Sequence, residues 1–341
     1  MLIQAGTWQS NPEEVQQAVT HALLTGYRHI DAAFCYQNEE EVGKGLRDAF
    51  ESGKVRREEV FVTTKLWCTY HTQVGENLEL SLKNLGLDYV DLYLMHWPLA
   101  MNPNGMVPCR LHRTELRGDC WFLMLIAAGN HPLFPKLPNG NRDIVRSHSH
   151  VATYKSMEKL LATGKVKAIG VCNYSKRYLE ELLPQVSVIP AVNQIENHPA
   201  LPQQEIVDFC KEQGIHITAY SPLGSIGGPL FTIDAIAEVS KRRNASPALV
   251  LLSWHSMFAV SLLCHIYVCL TEHPALVARG SSVLSKSVTP SHIDENRNLI
   301  KLDESDIAII ARYTDELTVK KAFQRFVYPP FGIDFGFPDK S

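Results

Sequence analysis

Short runs rich in apolar and β-branched residues alternate along the chain with longer stretches whose apolar positions recur every three to four residues. That alternation is the pattern of a parallel sheet whose strands are joined by crossover helices. Strands are predicted at the end of 6–9 and over 28–33, 61–66, 89–96, 167–173, 192–196, 216–222 and 281–286. Helices are predicted over 15–26, 38–53, 73–85, 151–163, 175–183, 203–213, 232–244 and 290–299. The first is announced by Asn11-Pro12-Glu13-Glu14, an N-cap residue, a proline in the first turn and two acids against the helix dipole. An extra helix over 303–314 precedes a Pro- and Gly-rich tail, 328–341. One unbroken series of strands and helices, with no linker or low-complexity stretch, predicts an α/β fold: a (β/α)8 TIM barrel in a single domain spanning 1–341, with a C-terminal extra helix and tail.

Composition narrows the partners more than the fold. The 341 residues are 45% hydrophobic and 20% charged, with a formal net charge of -3. Nothing in that balance pulls the chain toward nucleic acid or an anionic membrane. The start, MLIQAGTWQSNPEE, lacks the basic and long apolar segments of a secretory signal, so a cytoplasmic location is expected. Cysteines at 35, 68, 109, 120, 172, 210, 264 and 269 form no C-x-x-C pair and have no histidines at zinc spacing, so reduced structural thiols and no metal are expected. Residues 248–270 hold no Asp, Glu, Lys or Arg, long enough to nominate a membrane span. A further strand follows at Ser281, however, and a span there would tear the barrel in two.

In a barrel of this kind chemistry gathers at the C-terminal strand ends. Asp31, Lys65, His96, Asn173, Gln194, Tyr220 and Lys286 each fall at or near the end of a different predicted strand. Tyr36, close behind Asp31 in DAAFCY, joins Lys65 in KLW and His96 in HWP as a set suited to carbonyl reduction. The phenol donates a proton, the lysine lowers its pKa, the aspartate holds the lysine charged, and the histidine orients the substrate oxygen. No side chain supplies hydride, so a redox cofactor is required. The chain has neither G-x-G-x-x-G nor G-x-x-x-x-G-K-[ST], which excludes a Rossmann or P-loop mode of holding it.

Those stretches, together with GTWQS (6–10), GVCNYS (170–175), NQIE (193–196), AYSPLGS (219–225) and KSVTPSHIDEN (286–296), resemble the aldo-keto reductase family over nearly the whole chain. The resemblance implies a catalytic tetrad of Asp31, Tyr36, Lys65 and His96. It implies pocket walls at Trp8, Trp67 and Trp97, with Cys35 lining the pocket. It also implies an extended NADPH across the barrel mouth, its carboxamide bonded by Asn173 and Gln194 and its ring stacked on Tyr220, with Gly6, Thr7, Ser221 and Leu223 alongside. Lys286, Ser287, Val288 and Thr289 open a helix whose free N–H groups suit the extra phosphate of NADPH, and Glu295 and Asn296 match adenine-binding positions. The pattern departs at two places: His292 stands where the family usually has an arginine, and Cys172 where it usually has a serine.

The implied activity is NADPH-dependent reduction of small aldehydes or ketones, reversible on polyols, by a monomer. The stretches 130–140 and 329–340 are similar to fungal glycerol dehydrogenases and to glyceraldehyde or aldehyde reductases. Two other readings share the fold: a non-catalytic NADPH-binding relative with a regulatory or structural role, and an aldolase forming a Schiff base on Lys65. Segments 106–129 and 255–276 interrupt the resemblance, and excising them rejoins family-like sequence. Both read as retained introns or errors in the translated gene.

Overall fold

The protein, in a computed structural model, is described for residues 3–8, 10–102, 131–225, 227–255 and 281–340. Its strands β1 (Ile3–Gly6), β2 (His29–Asp31), β3 (Phe61–Leu66), β4 (Val90–Met95), β5 (Val166–Cys172), β6 (Val192–Glu196), β7 (His216–Tyr220) and β8 (Ser281–Ser285) close into one barrel in sequence order. Every pair is parallel, and β8 returns to β1 with Ile3 opposite Val283. The predicted barrel is therefore the observed one.

Helices α1 (Pro12–Leu24), α2 (Glu39–Glu51), α3 (Val74–Leu85), α4 (His150–Glu158), α5 (Lys176–Leu182), α6 (Gln204–Glu212), α7 (Asp234–Arg243), α8 (Pro247–His255), α9 (Pro290–Asn296) and α10 (Glu304–Lys320) surround it. Their starts follow the local chemistry read from the sequence. Pro12 sits in the first turn of α1 ahead of Glu13 and Glu14, and the hydroxyls of Ser149 and Ser175 accept from Ala152 N and Tyr178 N. Asp303 caps α10 in a reciprocal box with Asp306. Where α1 and α2 cross, a Cβ on Gly45 would come within 2.6 Å of the Gln16 carbonyl, so this contact admits only glycine.

Three expectations change. The first strand lies at Ile3–Gly6 rather than toward residue 9, because Gly6 pairs with Asp31 at the strand's end and Thr7 and Trp8 already belong to the following loop. No helix was expected over 247–255. The helix α8 forms there because apolar residues surround its axis, leaving no amphipathic stripe, and burial of Leu249 through His255 stabilises it instead. Finally α10 continues to Lys320, beyond the expected end at 314. Of the two interrupting segments, 106–129 and 255–276, only His255 is described; the rest lies outside the described residues. Among the described residues no helix is long and apolar enough to cross a membrane, and no group of His, Cys, Asp or Glu is arranged to hold a metal.

Candidate active site

Parallel register brings the tetrad together. Asp31 stands opposite Thr63 and Lys65 opposite Leu94, so neighbouring strands deliver a carboxylate and an ammonium to one level of the barrel. Both side chains are completely buried, and Lys65 Nζ donates to Asp31 Oδ1, to the Ala32 carbonyl at 2.9 Å and to the Tyr36 hydroxyl at 3.3 Å. All three ammonium hydrogens are thus used. Removing either partner would leave an uncompensated charge in the interior, which is what holds the pair in place. A Schiff-base aldolase would need this nitrogen free and facing a substrate; its burial and its three partners leave no such access.

Tyr36 enters on a short 3-10 turn, Phe34–Tyr36, after β2. Its ring meets His96 edge-on at 5.7 Å, and His96 meets Trp67 edge-on at 5.2 Å. Burial, and secondarily the Asp31 carboxylate, push the Tyr36 phenol well above its usual value. The expectation that Lys65 lowers this pKa is therefore reversed in the protein alone: the lysine's charge is already balanced by Asp31, and desolvation dominates. The phenol is held protonated, as a proton donor must be. Burial, reinforced by Lys65, drops His96 well below its usual value, so the imidazole stays neutral.

These groups open into a cavity of about 600 Å³. One end is lined by Trp8, Trp67, Trp97, Phe134, Val327 and Pro329, with Cys35, Tyr36 and His96 at the floor. The Trp67 indole N–H donates to the Leu133 carbonyl at 2.7 Å, and Arg142 donates to the Phe134 carbonyl at 2.9 Å, fixing the loop that presents Phe134. On the opposite side Glu196, at the end of β6, accepts from Phe326 N at 2.7 Å and Val327 N at 2.9 Å and so straps the C-terminal tail across the mouth. Phe134, Val327, Pro329 and Phe231 were not singled out from sequence. Phe134 and Pro329 fall in the stretches 130–140 and 329–340 already marked as similar to fungal reductases, which was the available signal; Val327 and Phe231 carried none.

The other end of the cavity runs past Asn173, Gln194 and Tyr220 to Ser221, Leu223, Lys286 and His292, with Gly6 and Thr7 alongside. Asn173 and Ser221 both adopt positive φ, 63° and 50°, a conformation that costs energy in non-glycine residues and gathers at functional sites. Gly228 answers a steric demand there: at φ +62° a Cβ would lie 2.4 Å from the Phe231 ring. The two amides expected to hold a carboxamide are already engaged within the protein. Gln194 Nε2 donates to Asp31 Oδ2 at 2.7 Å, while Asn173 Nδ2 donates to the His96 carbonyl at 2.9 Å and its Oδ1 accepts from Tyr220 OH at 2.7 Å. Gln194 retains one N–H for a ligand, and its carbonyl oxygen, which accepts from the Cys172 thiol at 3.9 Å, keeps one lone pair. Cys172, buried beneath them, has a thiol pushed up by burial and remains uncharged.

Of the positions expected at the phosphate and adenine, Lys286 and His292 line the cavity, the former exposed and free to meet an anion. Ser287 and Asn296 line a second, small pocket with Gly6 and Thr7, Val288 packs on the apolar contact between α1 and α9, and Thr289 caps α9 through its backbone with its side chain outward. Glu295 is partly exposed on α9. The cavity is long enough in lining, and its polar groups varied enough in chemistry, to fit a nicotinamide dinucleotide. Amide and phenol groups stand beside the tetrad, the loop after β7 contributes to the lining, and Lys286 adds a cation.

Residues 1–315 match the family model described as the Aldo/keto reductase family. The chain is 51% identical over 336 residues, 98% of its length and 94% of the relative's, to a D-galacturonate reductase of Hypocrea jecorina. It is 39% identical to a glycerol 2-dehydrogenase (NADP(+)) of Saccharomyces cerevisiae, covering 96% of this chain and 91% of that one. The solved aldose reductase structure from Giardia lamblia superposes with a TM-score of 0.79 at 32% identity, covering 98% of each chain.

Proposed function

The chain belongs to the aldo/keto reductase family and is an NADP-dependent oxidoreductase that reduces small carbonyl compounds to alcohols; from that premise we propose that its preferred substrate is a hexuronate of the galacturonate kind. The observation that carries this reading is the 51% identity to a D-galacturonate reductase, sustained over 98% of the chain. Identity falls to 36% against a D/L-glyceraldehyde reductase of the same organism. The aromatic end of the cavity supports it as well, since indole and phenyl faces suit the C–H faces of a polyhydroxylated chain while Tyr36 and His96 meet its aldehyde.

Asn173, Gln194, Tyr220 and Lys286 would hold NADPH, which when bound would supply the hydride. Tyr36 O–H donates the proton to the carbonyl oxygen, and Lys65 and Asp31 keep that hydroxyl positioned through the bonds described above. His96 fixes the carbonyl oxygen with a neutral N–H, so the oxygen is polarised without being protonated prematurely. In the reverse direction the Tyr36 phenolate accepts the alcohol's proton. The protein works as a monomer in the cytoplasm, with no nucleic-acid or membrane partner; the net charge of -3 and the free thiols of Cys35, Cys68, Cys172 and Cys210 support that reading.

NADPH oxidation by the purified protein with D-galacturonate and with DL-glyceraldehyde tests the assignment. We expect kcat/KM to favour galacturonate by at least about tenfold, the discrimination that a fitted pocket supplies for one or two contacts. Equal values, or a preference for glyceraldehyde, overturn the uronate reading and leave a general aldehyde reductase.

A further inference from the structure

Cys35 precedes Tyr36 on the 3-10 turn after β2, and its Sγ lies 3.5 Å from Nδ1 of His96. Both residues line the cavity at its reactive end. A neutral imidazole carries one N–H, and its function depends on which nitrogen holds it. Among the described residues Nε2 of His96 takes no hydrogen bond, so Nδ1 is the nitrogen that the protein contacts and Nε2 the one left for a ligand.

We propose that Cys35 is a positioning residue whose S–H donates to Nδ1 of His96 and so holds the imidazole as the Nε2–H tautomer, the form whose N–H meets the substrate oxygen. The inference rests on the reductase reading of His96 given above. Its direction follows from the strengths of the partners. The S–H···N arrangement gives the thiol's weak donor a good acceptor and leaves the ring's one N–H for the cavity, whereas the opposite arrangement uses that N–H on a sulfur, a weak acceptor. With S–H···N favoured, the ring proton resides on Nε2. Two further conditions hold. Burial pushes the Cys35 thiol up, so its hydrogen is retained across the working pH range, and the same burial keeps His96 neutral, so Nδ1 has a lone pair to offer. Edge-on contact with Tyr36 and Trp67 fixes the plane of the ring, which leaves the tautomer as the remaining degree of freedom.

The test uses the full-length protein bound to NADP+, labelled with 15N-histidine, and reads the tautomer from long-range 1H–15N correlations, with His96 assigned by the signal lost in His96→Asn. The wild type is expected to show Nε2–H. Cys35→Val, similar in volume and lacking a donor, is expected to shift the ring toward Nδ1–H and to lower kcat about tenfold, a part of the 10²–10³ lost when a transition-state donor is removed outright, with KM for NADPH unchanged. Cys35→Ser restores a donor and is expected to return both the tautomer and most of kcat. Cys35→Ala serves as a second donor-less variant, so a folding defect peculiar to valine is recognised by the difference in melting temperature. An Nδ1–H ring in the wild type overturns the proposal, as does a tautomer unmoved in both donor-less variants, or a kcat that stays at the wild-type value once the tautomer has moved. A wild type that reduces no aldehyde refutes the reductase reading instead, while the spectra still decide what Cys35 does to the ring.

Discussion

The two ends of the cavity are built on opposite principles. At the catalytic end Asp31 and Lys65 are fully buried, and Asn173 and Gln194 are at most 3% exposed, so donors and acceptors satisfy one another before any ligand arrives. At the end expected to take the cofactor's phosphate, Lys286, Thr289 and His292 are exposed, and α9, only seven residues long, has no side-chain cap. A preorganised site spends no binding energy on arranging its own dipoles when charge develops. An exposed cationic end contributes affinity that salt screens and that single charges tune in small steps. Changes at the first end should therefore be large and specific to chemistry, and changes at the second modest and confined to affinity.

The contrast is most exposed to refutation at Tyr36. Tyr36→Phe is expected to lower kcat by about 10² to 10⁴, the usual worth of a positioned proton donor, while the NADPH affinity read by fluorescence titration stays within error of wild type. Equal turnover would remove Tyr36 from the mechanism. The raised phenol also separates the two directions of reaction by pH. Reduction requires the protonated form and should stay level through the neutral and alkaline range, whereas alcohol oxidation requires the phenolate and should climb with pH throughout.

A second test concerns stability. Burial, together with the nearby His148 and His150, lowers His71 to about 3, and burial, with a lesser contribution from Lys65, lowers His29 to about 3 as well. Both folded values lie below the unfolded value near 6.5, so the unfolded chain binds more protons in between and stability is lost as pH falls from about 6.5 toward 3. The melting temperature should be flat above neutrality and drop steeply below pH 6. His71→Gln, which can still bond Thr153, should lessen the slope, and an unchanged slope would show that His71 is not a source of it.

The smallest expected effect sharpens the other side of the comparison. His292→Arg restores a permanent charge beside Lys286 and is expected to tighten NADPH binding between threefold and about tenfold, most at low salt, with kcat and NADH binding unaltered. Weaker NADPH binding in this variant would mean that the phosphate does not lie against α9.

Much of this could be read from the chain, for a definite reason. Strand ends are legible because hydrophobic runs stop abruptly, and a polar residue at or near the end of such a run, as at Asp31, Lys65, His96 or Tyr220, is marked by the pattern itself. The same rule failed where the pattern was missing. Helix α8 has apolar residues on every side and was taken for part of a featureless run, and β1 was placed too late because the motif after it is more distinctive than the strand.

What the sequence determined by itself was the order of elements, the single closed barrel and the residue types available at each strand end, all properties of local periodicity and of position along the chain. What only the tertiary structure decided was how those residues spend their hydrogen bonds. Gln194 turns to Asp31 across 163 positions, Asn173 ties His96 to Tyr220, Glu196 straps the tail across 130 positions, and Cys35 rather than any distant residue meets Nδ1 of His96. The sign of the Tyr36 shift belongs to the same class. It depends on desolvation summed over every neighbour, and burial of that kind exists only once the barrel has closed.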